Sequence, residues 1–340
     1  MISSMEVKHF IQEKCNAEVV GIASASPFND EDKKRIAATL GVMKAANPAM
    51  NDQQAFDPED FVEGAKAVIV FGRNSYFGID PYSGTNVSEV SRGAIGNFYL
   101  NQNMLNNALL HSSLVTEFME SKGFKAEPTF VGFAQKIKAM EAGVGVWGKN
   151  SLIINKRLGS WIALSTIITN APLEPDEPLD GGCGTCKSCI EACPTGALSS
   201  PYNIEVGRCS IYYLCHLKGE IPLDVRNKIG VRIANCTICS DVCPKNNGLK
   251  VNEGDKLPDE VIYPELIPMM NMNEDEYEKK YGSQMFGFIM GGRRYLRRNI
   301  AIALGNSGNK KALPCLEIAA RDEDPLVHSH AVWAIEKINS

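Results

Sequence analysis

The chain has 340 residues, of which 44 % are hydrophobic and 22 % charged, with a formal net charge of −5. That balance is ordinary for a soluble globular protein of two or three domains, and it excludes a disordered chain or one with a whole-surface affinity for nucleic acid. The N-terminus has no basic stretch leading into an apolar one, and no apolar run reaches about 18 residues, so neither a secretion signal nor a membrane span is expected.

Val7, Phe10, Ile11 and Cys15 fall at helical spacing and predict a first helix, with Cys15 as a buried structural thiol. Val19–Ala25 reads as a strand and Asn29–Met50 as a helix. Asp57–Gly64 reads as a short capped helix and Ala67–Phe71 as a buried strand. Gly, Tyr, Ser and Asn dominate 72–92, which predicts a long loop of the kind that carries function. A helix is expected from about Ala94 to Lys122, and another over Phe133–Ala142.

Gly143–Asn150 contains both G-x-G-x-x-G and G-x-x-x-x-G-K. A phosphate-binding loop of either kind follows a strand and opens a helix. Here a helical pattern precedes and an apolar strand follows, so the segment reads as a glycine C-cap and a close approach to the next strand. Ser151–Asn155, a turn over 155–159 and Ser160–Ile168 predict a hairpin whose second strand is central. Pro172, Pro175 and Pro178 mark a linker.

Nine of the eleven cysteines lie between Cys183 and Cys243. Cys183, Cys186, Cys189 and Cys193-Pro194 make a C-x2-C-x2-C-x3-C-P run, the spacing by which bacterial ferredoxins hold iron–sulfur clusters. Cys209, then Cys236, Cys239 and Cys243-Pro244, form a second run with its first member displaced upstream. With Cys215 set aside as structural, eight thiolates remain for two cubane clusters. In two-cluster ferredoxins the fourth cysteine of each run ligates the other cluster. Carried over, one cluster takes Cys183, Cys186, Cys189 and Cys243, and the other takes Cys193, Cys209, Cys236 and Cys239. Structural zinc on paired C-x2-C knuckles is the competing reading, although the x3-C-P endings are foreign to it. Disulfides suit small exported chains, and free thiols with oxygen-sensitive clusters point to the cytoplasm.

Toward the C-terminus, Asn299–Gly305, Ala312–Leu316 and Pro325–Ile335 form a helical-pair repeat of the HEAT type, which must dock on the rest of the chain to bury its apolar faces. Arg293, Arg294, Arg297, Arg298, Lys310 and Lys311 occur with no acidic residue between Arg293 and Leu316, a candidate phosphate-binding patch whose bland alternative is a solvated helix face. Cys315 reads as a structural thiol, and His328 and His330 as unsuited to share a metal.

Taken together, Ala142–Asn150, Gly159-Ser-Trp161, the two cysteine runs, Arg208-Cys209, Lys218–Pro222 and Arg298–Asn306 resemble the epoxyqueuosine reductase family. These are cobalamin-dependent iron–sulfur enzymes of queuosine formation in tRNA, related to the corrinoid reductive dehalogenases. The resemblance implies an α/β (α+β) chain in three parts. Residues 1–172 would be a nitroreductase-like cobalamin-binding domain, 173–256 a ferredoxin-like domain with two [4Fe-4S] clusters, and 257–340 a HEAT-like helical domain. It also implies base-off cobalamin lined by Asn150, Ser151, Ile153 and Leu164, with Ile211, Cys236 and Thr237 facing it from the cluster side. The partners implied are tRNA and an electron donor such as a flavodoxin or ferredoxin, with the protein acting as a monomer and away from membranes.

One position departs from the family. Its proton-donor Asp falls on Thr129, whose hydroxyl is far too weak an acid for that work near neutral pH. Glu127, two residues earlier and on the same side of a strand, is the expected substitute. Tyr76, Tyr82, Tyr99, Arg92 and Lys136 are further candidate donors or anchors. Two alternatives therefore stand beside the tRNA reductase: a corrinoid reductase acting on a small substrate, and an electron-transfer or corrinoid-binding protein without turnover.

Overall fold

The computed structural model describes residues 2–46, 57–78, 80, 92–96, 100–129 and 132–340. Tyr82 and Tyr99 lie outside them, as does the end of the helix expected over 29–50.

The described part of the first 172 residues builds a four-stranded antiparallel sheet and, apart from it, a two-stranded one. β1 (Val19–Ser24), β2 (Ala67–Asn74), β3 (Ala126–Thr129) and β6 (Ile162–Thr169) are ordered β1-β2-β6-β3, and every neighbouring pair is antiparallel. Alternation along β2 sends Ala67, Ile69 and Phe71 to one face and Val68 and Val70 to the other, and all five are buried. The first set packs under α1 (Ser4–Cys15) and α3 (Gln102–Ser121) through Val7, Ile11, Val115 and Met119. The second set packs under α4 (Gly132–Glu141) through Ala139 and Ala142; α2 (Asp30–Ala46) touches α4 through Ile36 and Ile137. α4 lies so close to β1 that a Cβ on Gly21 would stand 2.0 Å from the Ala142 carbonyl oxygen.

The segment 143–154 follows the sequence reading in one respect and departs in another. Gly143 caps α4 at φ 64°, a left-handed conformation that a side chain resists, and no helix follows, so the phosphate-loop patterns are coincidental. The hairpin, however, is not the expected one. β5 (Ile153–Ile154) pairs with β4 (Val146–Trp147), and only an isolated Asn155–Gly159 bridge closes the turn ahead of β6. β6 is central as expected, because β2 and β3 claim both of its edges. The helix expected from Ala94 begins instead at Gln102, capped by the Asn101 side chain accepting from the Met104 amide. Ala94 and Ile95 are drawn out of it by backbone bonds to Val231, Ile233 and Ile262.

In the cysteine-rich segment two short helices, Ser188–Glu191 and Ile238–Asp241, each lead into a Cys-Pro pair, and the insert between the runs adds a π-helical turn at Tyr212–His216 and a helix at Leu223–Ile229. Arg293–Ser307, Leu313–Ala319 and Pro325–Asn339 form the C-terminal helices. Their core is shared with the insert between the cysteine runs. Leu214, Ile221, Val225, Ile229 and Ile233 pack in one cluster with Ile300, Leu304, Leu316, Val327 and Ala334. The repeat thus does dock on the rest of the chain, and the boundary placed at 257 cuts across a continuous core. Cys215 and Cys315 are buried in it, as expected of structural thiols.

Candidate cluster and cofactor site

All eleven cysteines are free thiols, so no disulfide constrains the 183–243 segment. Cys183, Cys186, Cys189 and Cys243 line a single cavity, together with Lys149, Asn150 and Ile154 of the sheet domain. Desolvation pushes the Cys189 thiol up, and the next largest causes are Cys183 and Cys243. Burial raises Cys209 to about 11, with Cys236 and Cys193 adding to it. Burial raises Cys239 well above the ordinary thiol value, and Cys236 and Cys209 are the first charges behind that. Cys183 and Cys243 thus act on Cys189, and Cys236 and Cys209 on Cys239, while Cys189 also acts on Cys239 across the two expected quartets. Thiols so desolvated are poor isolated anions, and a cluster that neutralises them fits the donor set. Among the described residues no three His, Cys, Asp or Glu side chains close around one ion. A cube is gripped at its corners, so its ligands stand wider apart than four thiolates sharing a metal.

Polar hydrogens converge on the sulfurs. The Lys149 amide donates to Cys183 Sγ at 3.4 Å, and Cys186 Sγ lies 3.4 Å from Ser188 Oγ. Lys149 also reaches across with its ammonium, donating to the carbonyl oxygens of Gly184 at 2.6 Å and Cys186 at 2.9 Å. Asn150 Nδ2 donates to the Cys239 carbonyl oxygen at 3.5 Å. The Gly-Lys-Asn of the misleading motif therefore clasps the sheet domain onto both cysteine runs.

A cavity of about 410 Å³ lies beside this junction. Its floor is β6 and β5, through Ile162, Ala163, Leu164 and Ile153, and its far side is Met104 and Leu105 of α3 with Met285. Gln135, Lys136 and Ser160 are its polar members. Lys136 Nζ donates to the Ser151 carbonyl oxygen at 3.1 Å and stands 6.0 Å from the Trp147 ring centre. Burial lowers its pKa to about 8, against smaller opposing effects of Cys239 and Cys209. The side chain keeps intermediate exposure, and the opening it faces is the cavity it lines.

Of the residues expected to line cobalamin, Ile153 and Leu164 line this cavity. Ser151 touches it through the carbonyl that Lys136 holds, in a left-handed conformation at φ 58°. Asn150 lines the first quartet, while Cys236 and Thr237 line a smaller pocket with Trp161 and Asp80. Ile211 is half-buried against the C-terminal core. Thr129 and Glu127 do not reach the described cavity wall. β3 pairs with the far half of β6, Thr129 opposite Thr166, whereas the cavity lies on Ile162–Leu164. Thr129 instead lines a separate small pocket with Thr166, its carbonyl held by Gln135 Nε2 at 2.7 Å, and Glu127 is exposed. Arg92 bonds the Tyr263 carbonyl oxygen, and Tyr76 stacks obliquely on Trp161.

The arginine patch is largely internal. Arg298 is fully buried and donates to the carbonyl oxygens of Tyr213, Leu217 and Gly219. Arg297 is buried against Asp322, Arg293 pairs with Glu274 at 2.8 Å and Arg294 with Asp324 at 2.9 Å. The acids that the local sequence lacks come from neighbouring elements. Lys310 and Lys311 are exposed, and among the described residues neither forms an ion pair.

Residues 182–246 match the 4Fe-4S double cluster binding domain, and 291–340 match HEAT repeats. An epoxyqueuosine reductase of Staphylococcus aureus is 37 % identical over 202 residues, 59 % of this chain and 52 % of that protein. One from Escherichia coli is 35 % identical over 250 residues, 72 % of this chain and 65 % of its own. The chain thus spans from about half to about two thirds of the length of these relatives. A crystal structure of epoxyqueuosine reductase with an epoxyqueuosine-modified tRNA-Tyr stem loop superposes with a TM-score of 0.86 at 26 % identity, over 99 % of this chain and 91 % of that one. Fold and site define a double-cluster iron–sulfur protein in which an antiparallel α+β domain and a helical repeat flank the cluster segment. In sequence and in fold the chain is a homologue of the epoxyqueuosine reductases.

Proposed function

We propose that this protein is a cobalamin-dependent iron–sulfur reductase that converts epoxyqueuosine to queuosine in tRNA, in a reducing cytoplasm and as a monomer. The observation that carries the reading is the 410 Å³ cavity whose lining lysine, Lys136, is acted on by both Cys209 and Cys239. Two [4Fe-4S] clusters would be held by the two quartets and would receive electrons from a flavodoxin or ferredoxin. The aliphatic floor of Ile153, Ile162 and Leu164 suits one face of a corrin, and no histidine stands among the described lining residues. Cobalamin, bound there base-off, would supply a low-valent cobalt able to accept cluster electrons and reduce substrate.

The chain's own residues position these parts. Lys149 and Asn150 clamp the two domains, Ser151 and Lys136 shape the cavity rim, and Met104, Leu105 and Met285 keep water from its far side. Lys310 and Lys311 remain available to tRNA phosphates, whereas the four arginines serve the fold.

Protein purified without oxygen should hold about eight iron atoms and, when loaded with cobalamin, about one cobalt per chain. It should consume epoxyqueuosine in a tRNA stem loop when given a strong one-electron reductant. Stoichiometric zinc with negligible iron, or a loaded protein that leaves the epoxide intact, would overturn the reading.

A further inference from the structure

The reductase reading leaves a proton unassigned. Opening an epoxide and expelling its oxygen consumes two electrons and two protons, yet Thr129 is a poor acid and faces a different pocket. Glu127 is exposed on β3 and also absent from the cavity's described wall.

We propose that Lys136 Nζ is the proton donor to a substrate oxygen brought to the rim of this cavity. Among the described lining residues it is the one ionisable group; the rest are aliphatic, methionine, glutamine or serine side chains. Its position is held rather than free, since Nζ bonds the Ser151 carbonyl oxygen and lies against the Trp147 ring. The titratable groups that act on it are the thiols of Cys239 and Cys209 on the cluster side. Lys138, one turn face away on α4, is turned to the Ser24 and Ser26 carbonyls and to Glu141, and plays no part.

The step balances as follows. The two electrons come singly from an external low-potential one-electron donor, and the clusters, when bound, would carry them. Both carbon–oxygen bonds break, a carbon–carbon double bond forms, and the oxygen leaves as water. Lys136 gives the first proton to the ring oxygen as its first bond to carbon breaks, becoming a neutral amine. Solvent gives the second proton and restores the ammonium. Burial that lowers the lysine to about 8 makes it a far better acid at neutral pH than an ordinary lysine.

The assignment rests on the reductase reading, and the test separates the two. Holoprotein carrying Lys136→Met or Lys136→Arg is compared with the parent for iron content, cobalamin affinity by visible absorbance, and turnover of an epoxyqueuosine stem loop across pH. Iron and cobalamin are expected to stay at parental levels while both variants lose about 100-fold or more in rate, arginine being too weak an acid to donate. The parent is expected to lose rate on the alkaline side as Lys136 deprotonates, and the residual rate of Lys136→Met to lack that limb. Parental rate in Lys136→Met, rescue by Lys136→Arg, or loss of cobalamin in Lys136→Met would each overturn the donor role, the last two in favour of a charge anchor. A parent that holds both cofactors but leaves the epoxide intact would instead sink the reading, and the assignment with it.

Discussion

Lys149 and Cys186 are joined across the domain junction by a 2.9 Å hydrogen bond from the lysine ammonium to the cysteine's carbonyl oxygen. With the companion bond to Gly184, a side chain only 7 % exposed ties the loop between the first two cluster cysteines to the sheet domain. Hydrogen bonds from charged donors are worth about 1.5–3 kcal/mol each, and losing the donor strands two carbonyls. Lys149→Met should therefore destabilise the protein by about 2–4 kcal/mol in urea melts and speed iron loss from the Cys183 quartet on chelator challenge. Unchanged melting and iron retention would show the clasp to be dispensable.

The quartets make a sharp distinction among nearby cysteines. Cys193→Ser should lower iron from about eight to about four atoms per chain. Cys215→Ala, a few residues from Cys209, should leave iron content intact, because Cys215 is buried in the apolar core. Iron analysis with electron paramagnetic resonance of the reduced proteins checks both.

Among the C-terminal arginines the expected ranking follows burial. Arg298→Ala strips the donor from three carbonyl oxygens inside the core and should cost about 4 kcal/mol or more. Arg294→Ala removes an exposed pair and should cost about 1 kcal/mol or less. Lys310→Ala with Lys311→Ala should leave stability unchanged and lower the salt slope of tRNA binding by about two at most. Equal effects of Arg294→Ala and Arg298→Ala in thermal melts would contradict the burial argument.

His330 gives stability a pH dependence. Burial lowers its pKa to about 3 from 6.5, while its ring accepts from the Ile221 amide through Nε2 and lies 2.7 Å from the Leu326 carbonyl oxygen at Nδ1. Between those values the unfolded chain binds a proton that the folded chain refuses. The contribution is thus complete above about pH 6.5 and is lost as pH falls toward 3, by at most about 1.4 kcal/mol per unit. Comparing urea midpoints of the parent and His330→Gln from pH 7 to 4.5 should show the parent falling more steeply. Parallel curves would remove His330 from the account.

Much of this was legible in the residues themselves. The unbroken apolar run Ala67–Phe71 announced a strand buried on both faces, and the cysteine spacing marked the segment that matches a double-cluster domain. What local pattern could not carry was anything settled by partners distant in sequence. The acids that occupy Arg293, Arg294 and Arg297 lie at Glu274, Asp324 and Asp322, so a run that looked free of acidic relief is internally neutralised. β5 is too short to declare its partner, and β4 rather than β6 takes it. Thr129 was placed by analogy with the family, and only the β3–β6 register shows that it faces another pocket. Lys136 gave one signal in advance, a basic residue on the helix leading into the glycine cap, and its setting beside the clusters emerges only on folding.

The core shared by the cysteine insert and the terminal helices also dictates an order of events during synthesis. Leu214, Val225 and Ile233 have no complete partner surface until Ala334 and Ile338 have left the ribosome. The loop between Cys209 and Cys236 is therefore among the last regions to settle, although more than a hundred residues of later chain separate Cys209 from Ser340. Iron for the Cys209 quartet is expected to be captured only once the helices through Ile338 have emerged, and a nascent chain stalled short of Pro325 should bind it poorly.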